Sequence, residues 1–243
     1  MSLAFTVLGN SGSYPTPDGA CSGYLVECGG TKVWVDAGPG TLANLQRHVA
    51  PDAIDGIVLS HAHPDHWADL MSYFVIVRHF RPRTGLAVWS PARVRTLVSE
   101  VHGDLAPVFD WTDVRDGSVA TVGELSFTFS RTDHPPETLA MRIEGGGSVL
   151  GYSADTGPGW SLSELGPGVD CALVEASFTR RQERGGLHLS ARQAAITAKA
   201  AGISRLVLTH LQPGLDPESL RAEAEEAFTG PVELAVENER YVL

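Results

Sequence analysis

Short apolar runs bounded by glycine, proline or acidic residues recur along this 243-residue chain and predict strands, whereas longer segments with apolar residues three or four apart predict helices. The predicted strands are 4–8, 24–28, 32–36, 57–59, 86–89, a hairpin over 119–131, 138–143, 149–152, 172–174 and 206–208. The predicted helices are 42–49, 66–80, 92–102, one from a capping box at Ser190–Gln193 to about Gly202, and one from Asp216-Pro217 to Gly230-Pro231.

The order of these elements suggests two similar halves, roughly 1–115 and 116–243. No linker, charge run or low-complexity segment separates them, so we expect a single domain over 1–243. Strands and helices mixed in this way predict an α/β (α+β) architecture with two central sheets and helices outside.

Composition narrows the class of protein. The chain is 43% hydrophobic and 19% charged, which is ordinary for a soluble globular protein. It contains no run of about 18 apolar residues and begins without a basic region or cleavage site, so we expect no membrane span and a cytoplasmic location. The net charge of −11 disfavours non-specific binding to nucleic acid, because phosphates are neutralised by basic surfaces.

Three cysteines, Cys21, Cys28 and Cys171, are odd in number, widely spaced and without a C-x-x-C pair. This spacing argues against a disulfide framework. Zinc ligation is the alternative, but Cys28 and Cys171 lie in strand-like runs, so buried and inert thiols are favoured.

Potential metal ligands are most concentrated in one segment, Ser60-His61-Ala62-His63-Pro64-Asp65-His66, which directly follows the apolar run 57–59. A loop at the end of a buried strand can direct alternate side chains at two neighbouring metal ions. His61 and His63 would face one ion, and Asp65 and His66 the other. Three imidazoles and a carboxylate so close together predict a site for two divalent metals.

Further ligands are expected at other strand ends, where sheet folds place their chemistry. His134, Asp155 and His210 each follow a predicted strand. Each alone is a weak signal, but with the cluster they supply five histidines and two aspartates. Such a set without thiolate suits zinc, which we expect, with manganese or iron as alternatives.

These residues resemble the metallo-β-lactamase superfamily, and within it the ribonuclease Z-like branch, especially compact bacterial members similar to cyclic-nucleotide phosphodiesterases. The matching segments are Thr6-Val7-Leu8-Gly9, Val35-Asp36-Ala37-Gly38, the cluster, His134, Tyr152-Ser153-Ala154-Asp155-Thr156, Leu187-His188-Leu189-Ser190 and Leu208-Thr209-His210. The resemblance implies a four-layer αββα sandwich with a dinuclear site at one rim.

The resemblance also implies which side chains hold which ion. The first ion would be held by His61, His63 and His134, and the second by Asp65, His66 and His210, with Asp155 as the bridge. Asp36 matches an aspartate that supports the site, although an aspartate that forms the turn before Gly38-Pro39-Gly40 is the alternative.

Three catalytic residues are implied. Asp65 would orient or deprotonate the nucleophile. His188 matches a position that faces the leaving group, and Glu175 one that orients His188; a helix-flanking residue without catalysis is the alternative for His188. The histidine before Ser190 favours phosphodiester cleavage over β-lactam or lactone hydrolysis.

Three functions remain open. A metal-dependent phosphodiesterase for a small or cyclic phosphodiester such as 3′,5′-cAMP is favoured. A tRNA 3′-processing endonuclease is disfavoured because the segment between Asp155 and His188 is too short for a basic tRNA-binding arm. A non-catalytic binding protein would have lost ligands. Apolar residues in 71–80 indicate either a core-facing helix, which we favour, or the interface of a homodimer.

Overall fold

The computed structural model describes residues 1–183 and 186–243. Fourteen strands are described: β1 Leu3–Gly9, β2 Gly23–Cys28, β3 Thr31–Ala37, β4 Gly56–Val58, β5 Leu86–Ser90, β6 Phe109–Asp113, β7 Val119–Val122, β8 Leu125–Arg131, β9 Leu139–Gly145, β10 Ser148–Tyr152, β11 Cys171–Glu175, β12 Arg205–Thr209, β13 Val232–Leu234 and β14 Arg240–Val242. The α-helices are α1 Thr41–His48, α2 Asp69–Val75, α3 Ala92–His102, α4 Ala191–Ala200 and α5 Pro217–Glu225.

The strands form two seven-stranded mixed sheets. The first has the order β14-β1-β2-β3-β4-β5-β6 and the second β13-β12-β11-β10-β9-β8-β7. Antiparallel pairs join β1, β2 and β3, and the turn Gly29-Gly30 between the last two is tight because Gly29 adopts a φ of 58°. Strands β3 to β6 run parallel, as do β10 to β13.

The two sheets pack face to face, and helices cover both outer faces. One apolar core lies between the sheets and includes Phe5 and Tyr24 of the first sheet with Phe127 and Leu173 of the second. A second core packs the first sheet against α1, α2 and α3, and a third packs the second sheet against α4 and α5. These four layers are the predicted αββα sandwich.

The predicted helix over 66–80 is wrong in detail, because three different helical turns occupy that segment. A 3₁₀ turn covers Pro64–His66, α2 begins only at Asp69, and a π-helical turn covers Ile76–Phe80. Proline after His63 can start a turn because its φ is already suitable. The 3₁₀ turn matters for function, since it carries Asp65 and His66.

Three strands at sheet edges, β6, β13 and β14, were not predicted. The last strand, Arg240–Val242, pairs antiparallel with β1 across nearly the whole sequence. The final helix has the predicted start, with Asp216 accepting a hydrogen bond at its N-terminus, but it ends at Glu225, before Gly230-Pro231.

One stripe of the segment 71–80 faces the core, with Tyr73, Phe74 and Val77 buried, whereas Val75 and Phe80 are exposed. The preferred prediction for this segment is therefore confirmed. All three cysteines are buried free thiols, and burial raises the pKa of Cys21 and Cys171 to about 12. Among the described residues, no helix combines the length and apolar character needed to cross a membrane.

Candidate metal centre

The predicted site residues meet at one edge of the sandwich, where the ends of several strands converge. His61 to His66 follow β4, His134 follows β8, Asp155 follows β10 and His210 follows β12. The backbone there is unusual, because Asp36, Ala154 and His210 have positive φ values of 54°, 49° and 51°. Such conformations are costly without glycine and are concentrated at functional sites.

Three imidazole nitrogens of the first predicted group point at one another. His63 Nδ1 lies 3.1 Å from both His61 Nε2 and His134 Nε2. One proton on His63 Nδ1 can satisfy only one of these contacts. The remaining nitrogen lone pairs face the same small volume, which is a suitable environment for a cation.

The second predicted group is equally compact. Asp65 Oδ2 lies 3.3 Å from His210 Nε2 and 3.7 Å from His66 Nε2. All three side chains are buried or nearly so. Their ligand atoms lie within 4.8 Å of one another, as do those of the first group together with Asp155.

Asp155 lies between the two groups and presents one oxygen to each. Its Oδ2 is 3.5 Å from His61 Nε2 and 3.8 Å from His134 Nε2. Its Oδ1 is 3.2 Å from His66 Nε2 and 3.5 Å from His210 Nε2. The structure therefore brings all seven predicted metal ligands together, with Asp155 in the position expected of a bridge.

Hydrogen bonds on the far side of each ring orient the histidines. His134 Nδ1 donates to the carbonyl of Leu187 at 2.8 Å, and His66 Nδ1 donates to Asp36 Oδ2 at 2.8 Å. His61 Nδ1 lies 3.0 Å from Ser60 Oγ, whose own proton goes to Asp36. With Nδ1 held in these hydrogen bonds, the Nε2 atoms of the three rings face the cluster, where a bound metal would take them as ligands.

Two buried atoms test whether a metal fits. Within residues 1–183 and 186–243, His66 Nε2 and Asp155 Oδ1 have no hydrogen-bond partner, although they are only 3.2 Å apart. Unpaired polar atoms in a buried site are costly, and a cation between them removes that cost. Their imidazole and carboxylate chemistry suits zinc, manganese or iron, so the residues fit a divalent metal.

The charges of the clustered aspartates and histidines shift the pKa values of these side chains. Burial lowers the pKa of His66, but the carboxylates of Asp155 and Asp36 outweigh it and raise that pKa well above its usual range. Burial and the neighbouring His66 lower the pKa of His61 well below its usual value. Burial raises the pKa of Asp155, yet the surrounding histidines hold it well below the usual range. The site thus keeps its carboxylates ionised and attracts positive charge.

Asp36 supports the site rather than only forming a turn. Its fully buried carboxylate accepts hydrogen bonds from the Ser60 backbone at 2.7 Å, from the Ser60 hydroxyl at 2.8 Å, from His66 and from the Tyr152 hydroxyl at 2.7 Å. Four donors on one carboxylate lock its position and the ring orientation of His66.

His188 and Glu175 lie beside the ligand cluster. His188 Nδ1 is 3.1 Å from Glu175 Oε1 and 4.0 Å from Asp155 Oδ2, and its side chain is 20% exposed. Burial lowers the pKa of His188, but the hydrogen bond and charge of Glu175, together with Asp155, raise it to about 9. The pair has the contact that the sequence resemblance predicted.

A cleft of about 220 Å³ opens over the cluster. Its lining residues are Ser13, His63, Pro64, Asp65, Asp155, His188 and His210. The sequence did not point to Ser13, whose backbone N–H donates to Asp65 Oδ2 at 2.9 Å, or to the hydroxyls of Ser60, Tyr152 and Ser177. A strand-end tyrosine and a serine beside a histidine were the available signals for Tyr152 and Ser60.

Comparison with known proteins gives the family. Residues 31–211 match the model of the β-lactamase superfamily domain. The uncharacterized protein Rv1339 of Mycobacterium tuberculosis is 37% identical over 253 aligned residues, covering 99% of this chain and 92% of that protein. A protein named ribonuclease Z from Mycobacterium avium is 31% identical over 267 aligned residues, covering 96% and 95% respectively.

A solved structure agrees with the fold. The crystal structure of the metallo-β-lactamase fold protein YhfI from Bacillus subtilis superposes with a TM-score of 0.88 at 27% identity, covering 98% of this chain and 99% of that one. The protein carries the predicted His and Asp cluster within that fold. The chain therefore belongs to the metallo-β-lactamase group of the β-lactamase superfamily and is a metal-dependent hydrolase.

Proposed function

We propose that this enzyme hydrolyses a small or cyclic phosphodiester, with 3′,5′-cAMP as the representative substrate. The observation that carries the proposal is the position of His188, which lines the cleft beside the ligand cluster and is held by Glu175 at 3.1 Å. Departure of an alkoxide from phosphorus is accelerated by a positioned proton donor, and a protonated imidazole in this position can supply it.

His188 would act through its other ring nitrogen. Because Nδ1 is engaged by Glu175, Nε2 is free to donate a proton to the leaving oxygen as the phosphorus–oxygen bond breaks. The contact with Glu175 raises the pKa of His188 and so favours the protonated ring that this role requires. Glu175 then stabilises the orientation of the ring before and after proton transfer.

Seven side chains would hold two divalent ions, with zinc the expected metal: His61, His63 and His134 for the first ion, Asp65, His66 and His210 for the second, and Asp155 for both. When bound, such ions supply Lewis acidity toward a phosphoryl oxygen and an activated water. The chain's own contribution is to fix these ligands from both sheets before substrate arrives.

Asp65 is proposed to orient or deprotonate the attacking water. Its carboxylate lines the cleft and is held by the Ser13 backbone N–H and by His210. Burial raises the pKa of Asp65, but the charges and hydrogen bonds of His210 and His66 lower it below its usual range. An ionised carboxylate in contact with the cleft can accept a hydrogen bond from the attacking water, and its lowered pKa favours this orienting role over deprotonation.

The size and charge of the site support a small substrate. The cleft is about 220 Å³, and the described residues that line it include no lysine or arginine. Between Asp155 and His188 the described elements are a 3₁₀ turn at Leu162–Leu165, strand β11 and a second turn at Arg180–Gln182. Together with a net charge of −11, these features disfavour a long polyanionic substrate.

The second candidate is a tRNA 3′-processing endonuclease. The similarity to proteins named ribonuclease Z favours this function. It needs a basic surface to bind tRNA, and the overall charge of this chain opposes such binding.

One experiment separates these candidates. Metal-free protein is reloaded with zinc, manganese or iron(II) and offered 3′,5′-cAMP, bis-p-nitrophenyl phosphate and a 3′-extended precursor tRNA. We expect turnover of the small diesters, and a loss of about 10²- to 10⁴-fold in kcat for His188→Ala. His79→Ala, which removes an exposed histidine outside the site, should retain activity. Cleavage of the tRNA alone would overturn the proposal in favour of the endonuclease, and no turnover with the metals bound would overturn both.

A further inference from the structure

A second polar side chain, Ser177, lies just after strand β11, which ends at Glu175. Ser177 is 4% exposed and lies two residues after Glu175, at the end of the second sheet that faces the site. Its hydroxyl contacts both Glu175 and His210, which belong to different strands. A buried hydroxyl between a proposed metal ligand and the residue that holds the proposed acid can couple the two.

The direction of each hydrogen bond follows from the chemistry of the partners. Ser177 Oγ lies 2.8 Å from Glu175 Oε2, which can only accept when ionised, so Ser177 donates to it. The carbonyl of His210 is a weaker and more distant alternative at 3.2 Å. With its proton committed to Glu175, Ser177 Oγ accepts from His210 Nδ1 at 2.9 Å. This arrangement directs the free Nε2 of His210 toward Asp65 and Asp155.

Glu175 joins several segments through its two oxygens. Oε1 accepts from His188 Nδ1 and from the Thr156 backbone N–H at 2.6 Å. Oε2 accepts from Ser177 and from the Leu189 backbone N–H at 3.3 Å. One carboxylate therefore holds the residue after Asp155 and the segment that carries His188, and it reaches His210 through Ser177.

We propose that Ser177 is a positioning residue that fixes the Nδ1–H form of His210 and couples it, through Glu175, to the orientation of His188. The inference rests on the proposed function in its assignment of His188 as the acid and His210 as a metal ligand. Without the Ser177 hydroxyl, His210 loses the acceptor that selects its tautomer, and Glu175 loses the one side-chain hydroxyl that donates to it among the described residues. Partners of this kind commonly change metal affinity or activity by about 10- to 100-fold.

The proposal is tested with the variant Ser177→Ala, through two measurements that do not require enzyme turnover. Zinc affinity is determined by chelator competition, and the histidine tautomers are read from ¹⁵N–¹H correlation spectra of the zinc-free and zinc-loaded protein. We expect zinc affinity to fall by about 10- to 100-fold. We also expect the Nδ1–H signal of His210 to be lost and the His188 signals to move, although Ser177 does not touch His188. Ser177→Thr keeps the hydroxyl and should restore both.

Ser90→Ala is the matched control, because Ser90 is a fully buried serine whose hydroxyl bonds only to Pro91 and Trp111 among the described residues. It should leave zinc affinity and both histidine spectra unchanged. Wild-type zinc affinity with an intact His210 tautomer in Ser177→Ala would overturn the positioning role. Reduced affinity with unmoved His188 signals would overturn the coupling through Glu175. These outcomes are distinguishable from failure of the proposed function, which would appear as absent diesterase activity in the wild-type protein with both readouts intact.

Discussion

Replacement of Glu175 by glutamine tests how the enzyme keeps its proposed acid protonated. The substitution preserves the size of the side chain but removes the negative charge 3.1 Å from His188 Nδ1. Glu175 is the first of the groups that raise the pKa of His188 from its ordinary 6.5 to about 9. Loss of that charge therefore lowers the pKa of His188. We expect kcat to fall at alkaline pH as His188 loses its proton, and in Glu175→Gln this fall should begin at lower pH.

The magnitude follows from the two pKa limits. At pH 8, about nine imidazoles in ten are protonated with a pKa of about 9, but only about three in a hundred with a pKa of 6.5. The largest expected loss of kcat at pH 8 is therefore about 30-fold, and it should diminish as the pH falls to about 6. Asp155 remains near His188, and bound cations oppose protonation in both proteins, so the measured change should lie below this limit.

The assay is the pH dependence of kcat for bis-p-nitrophenyl phosphate with zinc-loaded wild-type, Glu175→Gln and Glu183→Gln proteins. Glu183 is the matched control because its carboxylate pairs with Arg192 and Ser190 and, among the described residues, makes no hydrogen bond to His188. Only Glu175→Gln should move the alkaline limb to lower pH. An unmoved limb, or an equal shift in Glu183→Gln, would refute the argument that the charge of Glu175 sets the protonation of His188.

Two further predictions concern stability. Removal of metal by a chelator should lower the melting temperature by roughly 10 °C, because a ligand at a thousand times its Kd stabilises a fold by about 4 kcal/mol. Equal melting temperatures for metal-loaded and chelated protein would contradict a metal at this site. Trp34→Ala should lower the free energy of unfolding, measured in urea, by about 3–5 kcal/mol. Trp34 is fully buried, and its ring centroid lies 5.5 Å from that of Tyr73. Val101→Ala, at a 68% exposed position, should stay within about 0.5 kcal/mol of wild type, and an equal loss in both would contradict the burial argument.

Much of the fold could be predicted because its central strands carry local signals. Gly56–Val58 and Arg205–Thr209 contain short apolar runs that lie within the cores, and Ser190 with Gln193 forms the predicted capping box. Phe109–Asp113 does alternate apolar and polar residues, but its two aspartates are unfavourable in strands and concealed that pattern. Arg240–Val242 is defined by pairing with β1, which no local pattern can indicate.

The candidate site likewise contains residues that the sequence could predict and residues that it could not. The cluster from His61 to His66 is local, and His134, Asp155 and His210 each follow a recognisable strand, so their approach could be predicted. Ser13 and Ser177 could not be assigned, because a serine has no distinctive pattern and the proposed ligands that they contact, Asp65 and His210, lie 52 and 33 residues away in the chain. Their roles depend on which strand ends lie side by side within each sheet, since Ser13 and Asp65 follow strands of the first sheet and Ser177 and His210 follow strands of the second.

The proposed metal ligands come from both sheets of the sandwich. His61, His63, Asp65 and His66 follow a strand of the first sheet, whereas His134, Asp155 and His210 follow strands of the second. Metal binding would therefore connect the two sheets at the edge where their apolar core ends. Glu175 and Ser177 make a second connection within the second sheet, between the proposed acid and a proposed ligand. A substitution in this hydrogen-bonded layer should thus alter metal affinity and acid catalysis together, while one in the apolar core should alter stability alone.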